Sequence, residues 1–147
     1  MKREIKFRGK SLKSGGWLIG SHFYDGSLHY ILSNSITGAE DYEASVVSEN
    51  TVGQFTGLKD KSGNEIYEGD IVECVSWNEY FSNPETGQVM EPFRRKMYVA
   101  FQNGGFKMVE PMPYGVEPHI WDIIYNGDLT IIGNMIDNPE LLKGGES

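Results

Sequence analysis

Apolar and polar residues alternate with a period of two through most of this chain, and turn signals separate the alternating runs. That period marks half-buried strands, because successive side chains of a strand point to opposite faces. The first run is residues 4–8, with Ile5 and Phe7 on one face and Glu4, Lys6 and Arg8 on the other. The second runs from Trp17 to Leu32 around Asp25-Gly26, a two-residue hairpin signal whose residues tolerate the positive φ of a tight turn. It predicts the pairs Tyr24–Ser27, Phe23–Leu28, His22–His29 and Ser21–Tyr30. Trp17, Ile19, Phe23, Leu28, Tyr30 and Leu32 then make a core face, and Leu18, His22, Tyr24, His29 and Ile31 make the other. Residues 34–50 are polar and acidic and read as a long loop with a short helix near Ala39 to Ala44.

The stretch from Thr51 to Glu73, TVGQFTGLKDKSGNEIYEGDIVE, is the richest in turn chemistry. Asp60-Lys61-Ser62-Gly63 suits a type I turn closed by a glycine bulge: Asp bonds the backbone ahead of it, and Gly accepts positive φ. Leu58 then lies opposite Ile66. Glu68-Gly69-Asp70 is a second turn with a structural purpose, and Ile71 to Val75 is an apolar, β-branched strand. Residues 78–92 form an excursion loop marked by Asn83-Pro84, Thr86-Gly87 and Glu91-Pro92. Asn103-Gly104 tips a third hairpin, which sets Phe101 opposite Phe106 and Val99 opposite Met108. Its apolar face is Met97, Val99, Phe101, Phe106 and Met108. Pro111, Pro113 and Pro118 make an extended connector. The stretch from Ile120 to Tyr125 fits a short helix or a strand, and Leu129 to Gly133 a buried strand. Asn138-Pro139 opens a short terminal helix with Asn as N-cap. The expected fold is mostly β, with antiparallel hairpins forming a small bent barrel or packed sheets, and short helical segments including the C-terminal one. Trp17, Phe23, Tyr30, Ile66, Ile71, Phe101, Phe106 and Ile132 are the expected core.

Three blocks of this sequence resemble the YopX family of phage and prophage proteins. The first is Arg3-Glu4-Ile5-Lys6-Phe7-Arg8. The second is Gly53-Gln54-Phe55-Thr56-Gly57-Leu58-Lys59-Asp60, running through Gly63 to Ile66-Tyr67-Glu68-Gly69-Asp70-Ile71-Val72. The third is Ile132-Gly133-Asn134-Met135-Ile136-Asp137-Asn138-Pro139-Glu140-Leu141-Leu142. They stand in the family's order and span nearly the whole chain, although Gly9 departs from the small residue and Trp often found there. The resemblance implies a mostly β fold and an origin in a phage or prophage. It assigns no activity and no catalytic residue.

At 147 residues the chain is one domain's worth. No apolar run approaches the roughly 20 residues of a membrane helix, and the charged start is not a signal peptide. Cys74 lacks a second cysteine to pair with, which fits a reducing bacterial cytoplasm and a small buried hydrophobe in a strand. The net charge is −8, yet Lys2, Arg3, Lys6, Arg8, Lys10 and Lys13 oppose only Glu4 among the first thirteen residues. That segment carries +5 and the remainder −13. A strongly acidic remainder disfavours nucleic-acid binding over the whole surface.

Local chemistry is sparse. No Gly-rich phosphate loop, paired Cys motif or His-Glu-x-x-His is present. His22 and His29 are the best metal candidates, because two imidazoles on one strand face are placed to share an ion. The plainer reading is a pair of half-exposed sheet histidines. His119 beside Trp121 and Asp122 fits a general base only if His119 and Asp122 meet. The basic strip Lys2, Lys6, Arg8, extended by Arg94-Arg95-Lys96, fits an anion or nucleic-acid site. Its plainer reading is charge that keeps a sheet edge from pairing. No catalytic, cofactor or metal residue is therefore assigned. The expected function is a non-catalytic, phage-encoded binding or accessory protein in the host cytoplasm. Its expected partner is a protein of host or phage, met through the loops at 34–50 and 78–92. A nucleic-acid module built on the basic strand and an enzyme with a dispersed site are the alternatives.

Overall fold

The structure, a computed structural model, describes residues 4–34, 42–76, 93–123 and 129–143. These form eleven strands and two 3₁₀ turns. The chain divides into two compact units: Met1–Lys59 with Glu65–Gly69, and Asp60–Asn64 with Asp70–Ser147. Both are antiparallel, and the fold is mostly β.

The first unit holds β1 (Phe7–Lys10), β2 (Trp17–Tyr24), β3 (His29–Asn34), β4 (Tyr42–Val47), β5 (Gly53–Lys59) and β6 (Glu65–Tyr67), in the sheet order β4-β3-β2-β1-β5-β6. The sheet also closes on itself. Ser11 bridges Val47, the Leu12 amide donates to the Val46 carbonyl at 3.0 Å, and the Ser48 amide donates to the Lys10 carbonyl at 2.9 Å. β1 to β4 therefore curl into a small barrel. Tight closure requires small residues inside. A Cβ on Gly9 would stand 3.0 Å from the Val47 side chain, and one on Gly20 only 2.0 Å from the Leu32 carbonyl oxygen.

That curvature decides which face is the core. Ile31 and Val47 are fully or nearly fully buried on the inner face with Gly9 and Gly20, while Ile19 and Phe23 are 47% and 44% exposed on the outer one. The face expected to be core is thus the outside of the barrel. The register of the β2–β3 hairpin also differs from expectation. The pairs are Tyr24–His29, Phe23–Tyr30, His22–Ile31 and Ser21–Leu32. Asp25 is the cause: its Oδ1 accepts the amides of Ser27 and Leu28 at 2.8 and 2.7 Å. This Asx turn lengthens the connection to four residues. Residues 35–41 lie outside the described residues. Where the structure describes the expected loop at 34–50 and the helix near Ala39 to Ala44, Tyr42–Val47 is instead a strand paired along β3. A 3₁₀ turn, Glu49–Thr51, follows it.

The hairpin joining β5 to β6 turns as its sequence predicts. Gly63 has φ +87°, its amide donates to the Asp60 carbonyl at 3.0 Å, and Lys59 pairs with Glu65. The register then shifts, so that Phe55 pairs with Tyr67.

The second unit holds β7 (Asp70–Ser76), β8 (Phe93–Gln102), β9 (Gly105–Glu110), β10 (His119–Asp122) and β11 (Leu129–Asn134), in the order β10-β9-β8-β7-β11. Asn103 and Gly104 both take positive φ, and Phe101–Phe106 and Val99–Met108 pair as expected. Both sheet faces bury apolar residues. Val72, Met97, Val99 and Met108 are buried on one, Ile71 and Val109 on the other. Phe101 near the hairpin tip is 52% exposed and is not core. The ambiguous stretch beginning at Ile120 is strand β10 as far as Asp122; Tyr125 lies outside the described residues, as does the loop at 78–92. The C-terminal helical segment is a 3₁₀ turn, Pro139–Leu142, and Asn138 does not cap it with its side chain. Its Oδ1 instead accepts the Asn134 amide at 3.3 Å.

Candidate functional site

The outer face of the barrel leaves apolar side chains open among the described residues. β2 presents Trp17, Ile19 and Phe23 there, and β3 presents Tyr30 and Leu32. Leu28, in the turn, is 42% exposed. The Phe23 and Tyr30 rings stack at 4.7 Å with their planes 10° apart. The Tyr30 hydroxyl donates to Asp25 Oδ2 at 3.1 Å. The Leu28 amide, followed by that of Ser27, holds the Asp25 carboxyl below the usual carboxylate range, and Asp25 in turn raises the Tyr30 phenol. One carboxylate therefore fixes both the turn and the ring beside it. Ordered aromatic rings of this kind lose little entropy when a partner covers them.

The basic strand borders this face but is not an edge. β1 lies between β2 and β5, so edge protection is not its purpose. Lys6 bridges to Glu4 at 3.1 Å and to Glu65, and its ammonium lies 4.9 Å from the Phe55 ring centre. The Glu65 bond, working against partial burial, raises the lysine pKa. Arg8 lies 4.7 Å from the Trp17 ring and 5.1 Å from the Tyr67 ring. Its Nη2 donates to the Glu68 carbonyl at 3.4 Å. Lys10 stands 5.7 Å from the Trp17 ring. The strip is thus a cation–aromatic ladder within the unit. Lys2 lies outside the described residues. In the second unit Arg94 bonds Glu73 at 3.0 Å, and Arg95 bonds both oxygens of Glu110 at 3.1 and 3.0 Å. These cations serve neighbours in their own sheet.

The profile of the YopX protein family matches residues 6–143. This chain belongs to the YopX family. A similar solved structure is the crystal structure of protein EF1440 from Enterococcus faecalis, with 25% identity and a TM-score of 0.51 over 96% of this chain and 99% of that one. No match is found among curated proteins.

The remaining candidates of this YopX chain separate under the geometry. His22 and His29 do meet, with Nε2 and Nδ1 2.8 Å apart, although diagonally across the ladder. Among the described residues no group of three His, Cys, Asp or Glu side chains converges to hold a metal ion. His119 and Asp122 do not meet: His119 Nδ1 is 4.0 Å from Glu110, and Asp122 pairs with Lys107. Cys74 stands in β7 opposite Arg95 and is half-buried. Ile19, Phe23 and Leu28 alternate as a core face does, so period two alone does not reveal that this face lies outside. Gly9 and Gly20 on the opposite face carried the missing signal, since glycines recurring along one face mark the inside of a tight bend.

Proposed function

We propose that this YopX protein is a phage- or prophage-encoded accessory protein that binds a protein partner without turnover, in the cytoplasm of the bacterial host. The observation that supports this reading is the outer face of the first unit. Ile19, Phe23 and Leu28 remain between 42% and 47% exposed on a rigid strand pair that Asp25 braces. Exposed aromatic and aliphatic side chains on a rigid scaffold are the usual material of a recognition surface. We infer that the contact surface lies on β2 and β3.

The test is capture of host and phage proteins on the native chain and on Ile19→Ser with Phe23→Ser. Both positions are half-exposed, so the double variant keeps its far-ultraviolet circular dichroism. A partner captured only by the native chain is then purified and titrated against both forms, with binding at least about tenfold weaker to the variant. Equal affinity for the two forms would reject the outer face. Binding of DNA or RNA that weakens steeply with salt, in both forms alike, would replace this reading with a nucleic-acid one.

A further inference from the structure

His22 and His29 stand on the inner face of the barrel. Their ring centres are 5.1 Å apart and their planes 9° apart, with His22 Nε2 2.8 Å from His29 Nδ1. The difference between those distances is hardly more than the two ring radii. Both nitrogens therefore lie close to the line joining the centres, and the rings meet edge to edge instead of stacking. In such a contact one nitrogen donates and the other accepts. The tautomer follows from the neighbours. Glu49 Oε1 lies 3.8 Å from His29 Nε2 and favours a proton there. His29 Nδ1 is then the acceptor and His22 Nε2 the donor. Tyr24 stacks on His29 at 4.6 Å, and Phe7 tilts against His22 at 5.4 Å. Among the described residues, Glu49 from the 3₁₀ turn and Tyr24 from β2 are the titratable groups placed against the pair. Phe7 from β1 and Val47 from β4 bring no charge. An N–H···N bond of this length leaves no room for an ion between the two nitrogens.

We propose that His22 and His29 form a one-proton latch on the β2–β3 hairpin, bonded shut while at most one excess proton is shared and forced open by a second. The first proton leaves an N–H···N bond in place, its charge offset by Glu49. The second puts a hydrogen on both facing nitrogens, and like charges at that distance must part. Separation costs the contacts with Tyr24 and Phe7 and loosens the Tyr24–His29 end of the ladder. Burial, and then the charge of His29, lowers the His22 pKa below its ordinary value. The sign follows from linkage. The unfolded chain binds more protons in acid, so the latch contributes fully above about pH 6.5 and is lost as pH falls through the lowered value.

The experiment is a titration of the imidazole nitrogens by NMR from about pH 8 to about pH 5, with hydrogen exchange at the Phe23, Asp25 and Tyr30 amides, which face across the hairpin. His119→Gln assigns the third histidine. The expected result is two coupled steps, the second below the ordinary histidine range. Exchange at those amides, corrected for its intrinsic pH dependence, quickens by about tenfold across the second step. In His29→Gln, His22 titrates in one step nearer the ordinary value and the acid-dependent exchange disappears. Two independent steps in the native protein would overturn the proposal, and that outcome does not depend on the variant folding. So would Zn²⁺ at neutral pH bound by both rings together, because a chelating pair cannot also be bonded to itself.

Discussion

Asp60 ties a turn to a strand far along the chain. Its Oδ1 accepts the amides of Ser62 and Asn64 at 3.0 and 2.9 Å, and its Oδ2 accepts the Ile131 amide at 3.1 Å. Removing the carboxylate strands three part-buried amide donors, so Asp60→Ala is expected to cost about 1–3 kcal/mol by urea denaturation. Burial pushes this carboxyl up, but the bonds from Ile131 and Asn64 outweigh it and hold it below the usual range. Its stabilisation is therefore complete above about pH 3.9 and is lost as pH falls through the lowered value. The acid arm of the stability profile should flatten in Asp60→Ala. Gly69 makes a different demand, with φ at +92°. Gly69→Val should cost about 1–2 kcal/mol or more, and Gly69→Asn less, because a β-branched residue fits the left-handed region poorly. A Gly69→Val protein with unchanged midpoint would remove the turn's structural role. The bonds of Asp60 within its own turn were legible in Asp-x-x-Gly. The bond to Ile131, 71 residues away, was not, because no local pattern encodes it.

Hairpins were legible where the turn residues alone set the register. Asn103-Gly104 forces both central residues to positive φ, and the pairing of β8 with β9 follows position by position. Asp25-Gly26 offers the same signal, yet Asp25 bonds Ser27 and Leu28 and adds two residues to the connection. Period two survived that shift, but which face is buried is a property of sheet curvature, and curvature comes from closure between β1 and β4. Tyr42–Val47 was missed for a related reason: its acidic, small-residue start reads as loop, and only pairing along β3 makes it a strand. Burial then ranks two substitutions in the second unit. Ile71→Ala, at a fully buried site, should cost about 2–5 kcal/mol. Phe101→Ala, half-exposed and edge-on to Phe106 at 5.3 Å, should cost about 1 kcal/mol. Chemical-denaturation midpoints of the two variants, in reversed order, would contradict this ranking.

Across the whole molecule, the three hairpin turns expected at Asp25-Gly26, Asp60 to Gly63 and Asn103-Gly104 all fall between paired antiparallel strands, and a mostly β YopX fold was legible in the sequence. Division of the chain into two units was not, because it interleaves. The tip of the β5–β6 hairpin, Asp60–Asn64, belongs to the second unit while its strands belong to the first. Composition does not change at those points, so nothing in the sequence marks them.

Among the described strands β1 leaves the ribosome first, yet it is an interior stave of its sheet. Phe7 and Arg8 pair with Gly20 and Ile19 on one side and with Gln54 and Gly53 on the other. During synthesis that second side has no partner until Gly53 has been made and has cleared the exit tunnel. The order of manufacture and the order of assembly therefore disagree, and an unpaired strand edge is open to foreign strands in the interval. Nascent chains halted before Gly53 should be cut readily near β1 by a dilute protease, and chains extending past Gly69 should resist it. Equal sensitivity at both lengths would mean that the β1–β2 ribbon is secure on its own. By the same logic, deleting Phe7 to Lys10 takes the middle out of a wall.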